Sequence, residues 1–393
     1  MVLLERQVRA RKAHVARMAS FIGDPILRLR FLRTVAPQPW YRAKLSRRLR
    51  YWILSTVLVL AVLIPFCARR ATGRAEAPET RLVSPQPSRT HIAVKAVKVT
   101  PVWQVEKTQD SEVYSNGLRI ETRSTVSNHP RLYLAFPRDS ADPKGWIPRS
   151  QPVGIIYHAT ESSQAPFEAR DNQVLKRLGE SLLEYVRRKC AYHYLIDRFG
   201  RVYRVVAESD TANHAGYSVW ADDNWLYLNL NDSFFGVSLE AQTHPGQAEG
   251  LVSPAQVRSA AMLTEMLRSR YQIPAENCVT HAQVSVNPLN MRVGYHTDWA
   301  AGFPFAALGL PDNYARALPS LWAFGFECEP VFLRSIGERI APAVKLAEQD
   351  LLRNAARSGM QPEAYRNRLR KQYREWLAEV RRTNSGQGEE DEQ

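Results

Sequence analysis

The chain has 393 residues, too many for one ordinary domain, and its 45% apolar content with nine tryptophans argues against a wholly disordered polypeptide. Its formal charge of +14 is concentrated at the start, where residues 1–50 hold 13 Lys and Arg against two acidic residues. The remainder is close to balanced and has no basic stripe interleaved with aromatics, so nucleic acid is disfavoured as a partner.

Residues 1–50 read as a basic cytoplasmic tail. The run 51–68, YWILSTVLVLAVLIPFCA, carries no charge and has Tyr-Trp at one end, where an interfacial aromatic belt would stand. It is predicted to be a transmembrane helix acting as a signal anchor. Arg42, Lys44, Arg47, Arg48 and Arg50 crowd its N-terminal side, so the positive-inside rule keeps the tail in the cytoplasm and places the rest outside. The expected location is the inner (cytoplasmic) membrane, single-pass. The alternative is secretion to the periplasm after cleavage of a signal peptide with a long basic start. Residues 69–92, rich in Ala, Pro, Thr, Arg and Ser, have linker composition.

From 93 to 150 the pattern is strand-rich. Asn116-Gly117 sits between alternating stretches and signals a hairpin. Residues 151–312 predict an α/β domain with a central mixed β-sheet flanked by helices. VGIIYHA is a continuous apolar run, as in a strand buried on both faces. The next helix places Val174, Leu175, Leu178, Leu182 and Val186 on one face. YHYLIDRFGRVYRVV gives two strands about a turn at Arg198-Phe199-Gly200, and FFGVSLEA a further strand. A helix follows, with Ser253 as cap and Pro254 at its first position. CVTHA is a last short strand. Residues 313–393 predict a helical C-terminal extension, read most simply as a solvated appendage. The four cysteines, Cys67, Cys190, Cys278 and Cys328, form no C-x-x-C pair. Cys190 and Cys278 could pair in an oxidising compartment or remain buried thiols. Nothing in the sequence sets an oligomeric state.

Several histidines fall at strand ends. His158 ends VGIIYHA, His281 ends CVTHA, and His296 and Asp298 lie in the loop GYHTDW. The carboxyl ends of strands line the ligand crevice of an open α/β sheet. Two such histidines and one carboxylate make a three-ligand zinc site with an open fourth position, the arrangement of a catalytic rather than a structural zinc. An H-E-x-x-H helix is absent. By spacing alone, each histidine could equally be a hydrogen-bonded structural residue.

Taken together, the segments resemble the type 2 N-acetylmuramoyl-L-alanine amidases, a family that includes the peptidoglycan recognition proteins. The resemblance covers roughly 150–312 in the family's order. GIIYHAT is similar to the segment with the first zinc histidine, here His158. AYHYLIDRFGRVYRV is similar to the one whose tyrosine lines the site, here Tyr192. TANHAG resembles the W-H-A-G turn, with His214, and FFGVSLEA the I-G-I-E strand. VTHA resembles the strand of the second zinc histidine, here His281. YHTDWAAGFPF resembles K-T-D-P-G-P-x-F-P-W, whose aspartate is the third ligand, here Asp298.

Three departures accompany the resemblance. The stretch from His281 to Asp298 is longer than the family norm. The family's catalytic lysine is replaced by His296. The strand glutamate aligns with Ser238, while Glu240 lies two residues on and shares its face. The resemblance implies a Zn2+ cofactor held by His158, His281 and Asp298. It implies hydrolysis of the amide between N-acetylmuramic acid and L-alanine in peptidoglycan. Glu240, His296 and Tyr192 are the implied catalytic residues, and His193 and His214 are read as structural. The other readings are a non-catalytic peptidoglycan-binding module and an envelope scaffold.

Overall fold

The computed structural model describes residues 99–390 apart from 139–144, 217, 244–251, 288 and 336, all within the unit Ile92–Gln393. The basic tail, the run 51–68 and the linker lie outside the described residues. Among the described residues, no helix is long and apolar enough to cross a membrane.

The strand-rich start supplies β1 (Gln104–Lys107), β2 (Ser111–Tyr114) and β3 (Arg119–Glu121), and β2 and β3 form the hairpin expected at Asn116-Gly117. Gly117 has φ +86°, a left-handed conformation that only glycine adopts freely. β4 (Tyr133–Pro137) and β5 (Ile147–Arg149) follow. β6 (Gly154–Ala159) is buried at all six positions, as its unbroken apolar run requires.

After β6 comes helix α1 (Asn172–Arg188), which buries Leu175, Leu182 and Val186. Val174, expected on the same face, is exposed. It stands about 100° round the helix from Leu175, and at this first turn Leu175 takes the inward direction. β7 (Tyr194–Ile196) and β8 (Val202–Arg204) form an antiparallel pair. The turn between them is fixed by Asp197, whose carboxylate accepts from the backbone N–H of Phe199 and Arg201. β9 (Val219–Ala221), β10 (Trp225–Leu228) and the buried β11 (Phe234–Leu239) come next. Helix α2 (Pro254–Tyr271) begins as expected, with Ser253 and Gln256 closing a reciprocal capping box and Pro254 at the first turn.

β12 (Cys278–Thr280) is shorter than the strand expected for CVTHA, because His281 opens a one-turn helix, α3 (His281–Val284). The Thr280 N–H donates to the Gln283 side chain at 2.9 Å and turns the chain there. β13 (Val286–Asn287), β14 (Arg292–Val293) and β15 (Glu327–Cys328) make a small separate sheet, and helices α4 (Ala341–Arg357) and α5 (Pro362–Glu390) follow.

The main sheet runs β1-β2-β3-β8-β7-β11-β6-β12. Its centre is parallel, since β11 pairs with both β6 and β7 and β12 pairs with β6 in that sense. β1–β3 therefore extend the same sheet that carries β6. β5-β4-β10-β9 form a second sheet. The main core joins Ile155, Tyr157 and Val237 to Leu263, Met266 and Leu267 of α2. Leu182 and Val186 of α1 pack on the other face with Leu195.

The C-terminal residues are not a solvated appendage. Tyr373, Trp376, Leu377 and Val380 of α5 belong to the main core, and the Trp376 ring lies 5.0 Å from that of Phe136. Cys190, Cys278 and Cys328 are free thiols, so the considered Cys190–Cys278 pairing is not formed.

Candidate functional site

His158, His281 and Asp298 meet where the parallel strands end. The register aligns His158 on β6 with Ser238 on β11. His281, on the first residue of α3, is delivered beside it by β12. Asp298 arrives on the loop after β14, where its carbonyl accepts the Ala282 N–H at 3.2 Å. The adjoining Trp299 is fully buried, and its carbonyl accepts the Tyr314 hydroxyl at 2.6 Å. That bond anchors the loop from a residue beyond the expected domain edge at 312.

Among the described residues, these three form a buried cluster whose ligand atoms all lie within 4.8 Å of one another. Nδ1 of His281 is 2.8 Å from Oδ1 of Asp298, and Nδ1 of His158 is 3.2 Å from its Oδ2. Nε2 of His281 is buried without a partner. Burial alone would raise the Asp298 carboxyl, but His281, 2.8 Å from its Oδ1, holds it far below the usual range. Burial, then repulsion from His281, pushes His158 down to about 4. The site thus offers two neutral imidazoles and one carboxylate at neutral pH, the donor set and count of a three-ligand zinc centre.

Tyr192 and His296 border the cluster. Tyr192 has φ +63°, and its ring centre lies 5.0 Å from that of His158. Burial and the nearby Asp298 charge raise its hydroxyl above the usual phenol range, so it stays protonated. His296 stacks on His281 with centres 4.5 Å apart and planes 20° apart. Its backbone N–H donates to Ser285 Oγ at 2.8 Å. The residue is exposed, yet desolvation by the surrounding protein, with His281 next, pushes its ring down to about 4.

Glu240 lies elsewhere. It is buried at the end of β11, and its Oε2 accepts the Arg198 N–H at 3.1 Å in the β7–β8 turn. Burial and Asp197 raise its carboxyl. Period-two alternation puts Glu240 on the face of Ser238, but its hydrogen bond is to the turn and not to the cluster. His214, read as structural, touches the cluster directly, with Nδ1 3.1 Å from Nε2 of His158. The available signal was Gly236, a glycine inside a continuous apolar strand, which marks a close approach of something bulky.

Residues 148–298 match the family model described as N-acetylmuramoyl-L-alanine amidase. The N-acetylmuramoyl-L-alanine amidase AmiD of Escherichia coli is 29% identical over 116 residues, which are 27% of this chain and 41% of that protein. The match therefore spans well under two thirds of that relative. A solved structure of AmiD with anhydro-N-acetylmuramic acid-L-Ala-D-gamma-Glu-L-Lys is 21% identical, covering 51% of this chain and 65% of that one at a TM-score of 0.28. AMPDH3 from Pseudomonas aeruginosa, solved with anhydromuramic pentapeptide, is 20% identical, covering 40% and 58% at 0.30. At such TM-scores neither structure bears on what this chain does. The family match spans the segment that carries the cluster, so His158, His281 and Asp298 all lie within the residues similar to the N-acetylmuramoyl-L-alanine amidase family.

Proposed function

We propose that the chain is a zinc-dependent hydrolase of the amide between N-acetylmuramic acid and L-alanine in peptidoglycan. The observation that carries this reading is the convergence of His158, His281 and Asp298 within the segment that matches the amidase family. A bound zinc would supply a Lewis acid for the amide carbonyl and a water acidic enough to be deprotonated near neutral pH. The chain's own residues do the rest. Tyr192, protonated and beside His158, can donate a hydrogen bond to the substrate carbonyl. His296, neutral, exposed and stacked on His281, can accept the proton released by the attacking water and pass it to the leaving amine. Glu240 is held by the Arg198 N–H, so proton delivery is assigned to His296. The reading as a peptidoglycan-binding module without catalysis is favoured by that same withdrawal of Glu240.

Purified full-length chain should hold about one zinc and release free peptide from muropeptides, as read by mass spectrometry. His158→Ala should lose most of the metal and the cleavage together. Zinc-free chain that binds muropeptides intact would leave the binding module in possession. We further propose that the run 51–68 anchors the chain in the inner membrane with the amidase segment outside the cytoplasm. The uncharged stretch and its basic flank support this.

A further inference from the structure

The two ring nitrogens of His158 have different partners. Nδ1 faces Asp298 Oδ2 at 3.2 Å, and Nε2 lies 3.1 Å from Nδ1 of His214. The other nitrogen of His214, Nε2, is 3.3 Å from the carbonyl oxygen of Phe234. A main-chain carbonyl can only accept a hydrogen bond. Neutral His214 therefore carries its proton on Nε2 and presents a lone pair at Nδ1. Opposite that lone pair, Nε2 of His158 must be the donor. The single proton of neutral His158 is then placed, and its Nδ1 is a bare lone pair turned toward a carboxylate. Those two groups repel at this distance unless a cation stands between them. The hydrogen positions follow from the order of acceptors along the chain Phe234–His214–His158.

The surroundings of His214 are built to hold it there. A Cβ at Gly236 would come within 2.6 Å of Cγ of His214, so the glycine in the middle of β11 leaves the space that the ring occupies. The loop is fastened by one side chain: Asn231 Oδ1 accepts the backbone N–H groups of His214, Ala215 and Gly216 at 2.9, 2.7 and 3.0 Å.

We infer that His214 is a positioning residue of the metal centre, which holds His158 as the Nε2–H tautomer and so commits its Nδ1 to the metal. This rests on the zinc reading above. Histidine ligands are commonly oriented in this way by a partner on their second nitrogen, and loss of such a partner weakens metal affinity about 10- to 100-fold. The unusual element here is that the partner is a second imidazole, itself set by a backbone carbonyl.

The test uses the full-length chain with two variants. His214→Asn keeps an acceptor near the Nδ1 position, and His214→Leu removes it at similar bulk. Chelator competition should show zinc bound about 10- to 100-fold more weakly by His214→Leu, with His214→Asn within about threefold of wild type. A second measurement is independent of metal. Nitrogen-15 spectra of the imidazoles in the zinc-free wild type should show His158 as the Nε2–H tautomer, and His214→Asn should preserve it. In His214→Leu the proton should shift toward Nδ1, where Asp298 can accept it. Equal zinc affinity in wild type and folded His214→Leu would overturn the proposal, as would an Nδ1–H tautomer of His158 in the zinc-free wild type. Should His214→Leu fail to fold, the wild-type tautomer and the His214→Asn affinity still decide. A wild type that shows the Nε2–H tautomer but takes up no zinc would sink the zinc reading while leaving the proton order intact.

Discussion

At the scale of single residues, the site separates side chains that touch the cluster from one that is tied to the β7–β8 turn. His296 stacks on His281, and Glu240 is tied to the Arg198 N–H. His296→Ala should therefore lower the muropeptide cleavage rate about 10²- to 10⁴-fold. Glu240→Gln keeps a carbonyl acceptor for that N–H and should stay within about tenfold of wild type. The reverse ranking would return proton delivery to Glu240. A second residue-scale expectation concerns acid stability. Burial would raise the Glu112 carboxyl, but the Arg204 guanidinium, which binds both its oxygens at 3.1 and 2.6 Å, outweighs it and brings Glu112 down to about 2. A carboxyl depressed in the folded state stabilises fully above its unfolded pKa of about 4.5. That contribution is lost as pH falls from there to about 2, and amounts to about 1–3 kcal/mol. Denaturant titrations at pH 6 and pH 3 should show a smaller acid loss for Glu112→Gln than for wild type. Equal losses would mean that this pair does not drive the acid response.

At the scale of elements, His158 and His281 were legible because each sits at the end of a short, strongly apolar segment, whereas Asp298 was marked only by the loop that follows. The strand pattern of GIIYHA and CVT fixes where each strand ends, and His158 and His281 lie at those ends, buried like the strands themselves. What could not be read locally was pairing at long range. β1–β3 look like a separate extension until β3 pairs with β8, about eighty residues on. Helix α5 looks solvated because charged residues alternate with its apolar ones, yet Tyr373 and Trp376 meet Phe324, Phe326 and Phe136, contributed from far upstream. His214 was missed for a related reason: its meaning depends on a carbonyl and a glycine on β11. The packing of α5 is testable. Trp376 is nearly fully buried. Trp376→Ala should cost about 3–5 kcal/mol, measured by equilibrium unfolding. A cost below about 1 kcal/mol would restore the reading of α5 as an appendage.

At the scale of the whole molecule, the matched segment 148–298 is enclosed by chain on both sides that shares its sheet and core. The long basic start and the run 51–68 carry a separate expectation. A reporter fused after Gln393 should be active outside the cytoplasm and one fused before Tyr51 inside it; fractionation as a soluble cytoplasmic protein would contradict this. The longer stretch between His281 and Asp298 has a structural use. It forms β13 and β14, and β14 pairs in parallel with β15, while a Cβ at Gly294 would fall within 2.5 Å of Phe332 on the short helix Pro330–Ser335 after β15. The loop bearing Asp298 is thus stitched to a segment that the family match does not include. As a consequence, the matched segment is not an interchangeable cassette. A chimera that grafted residues 148–298 onto foreign flanks would inherit His158, His281 and Asp298 and none of that stitching, and Asp298 would be carried on an unbraced loop.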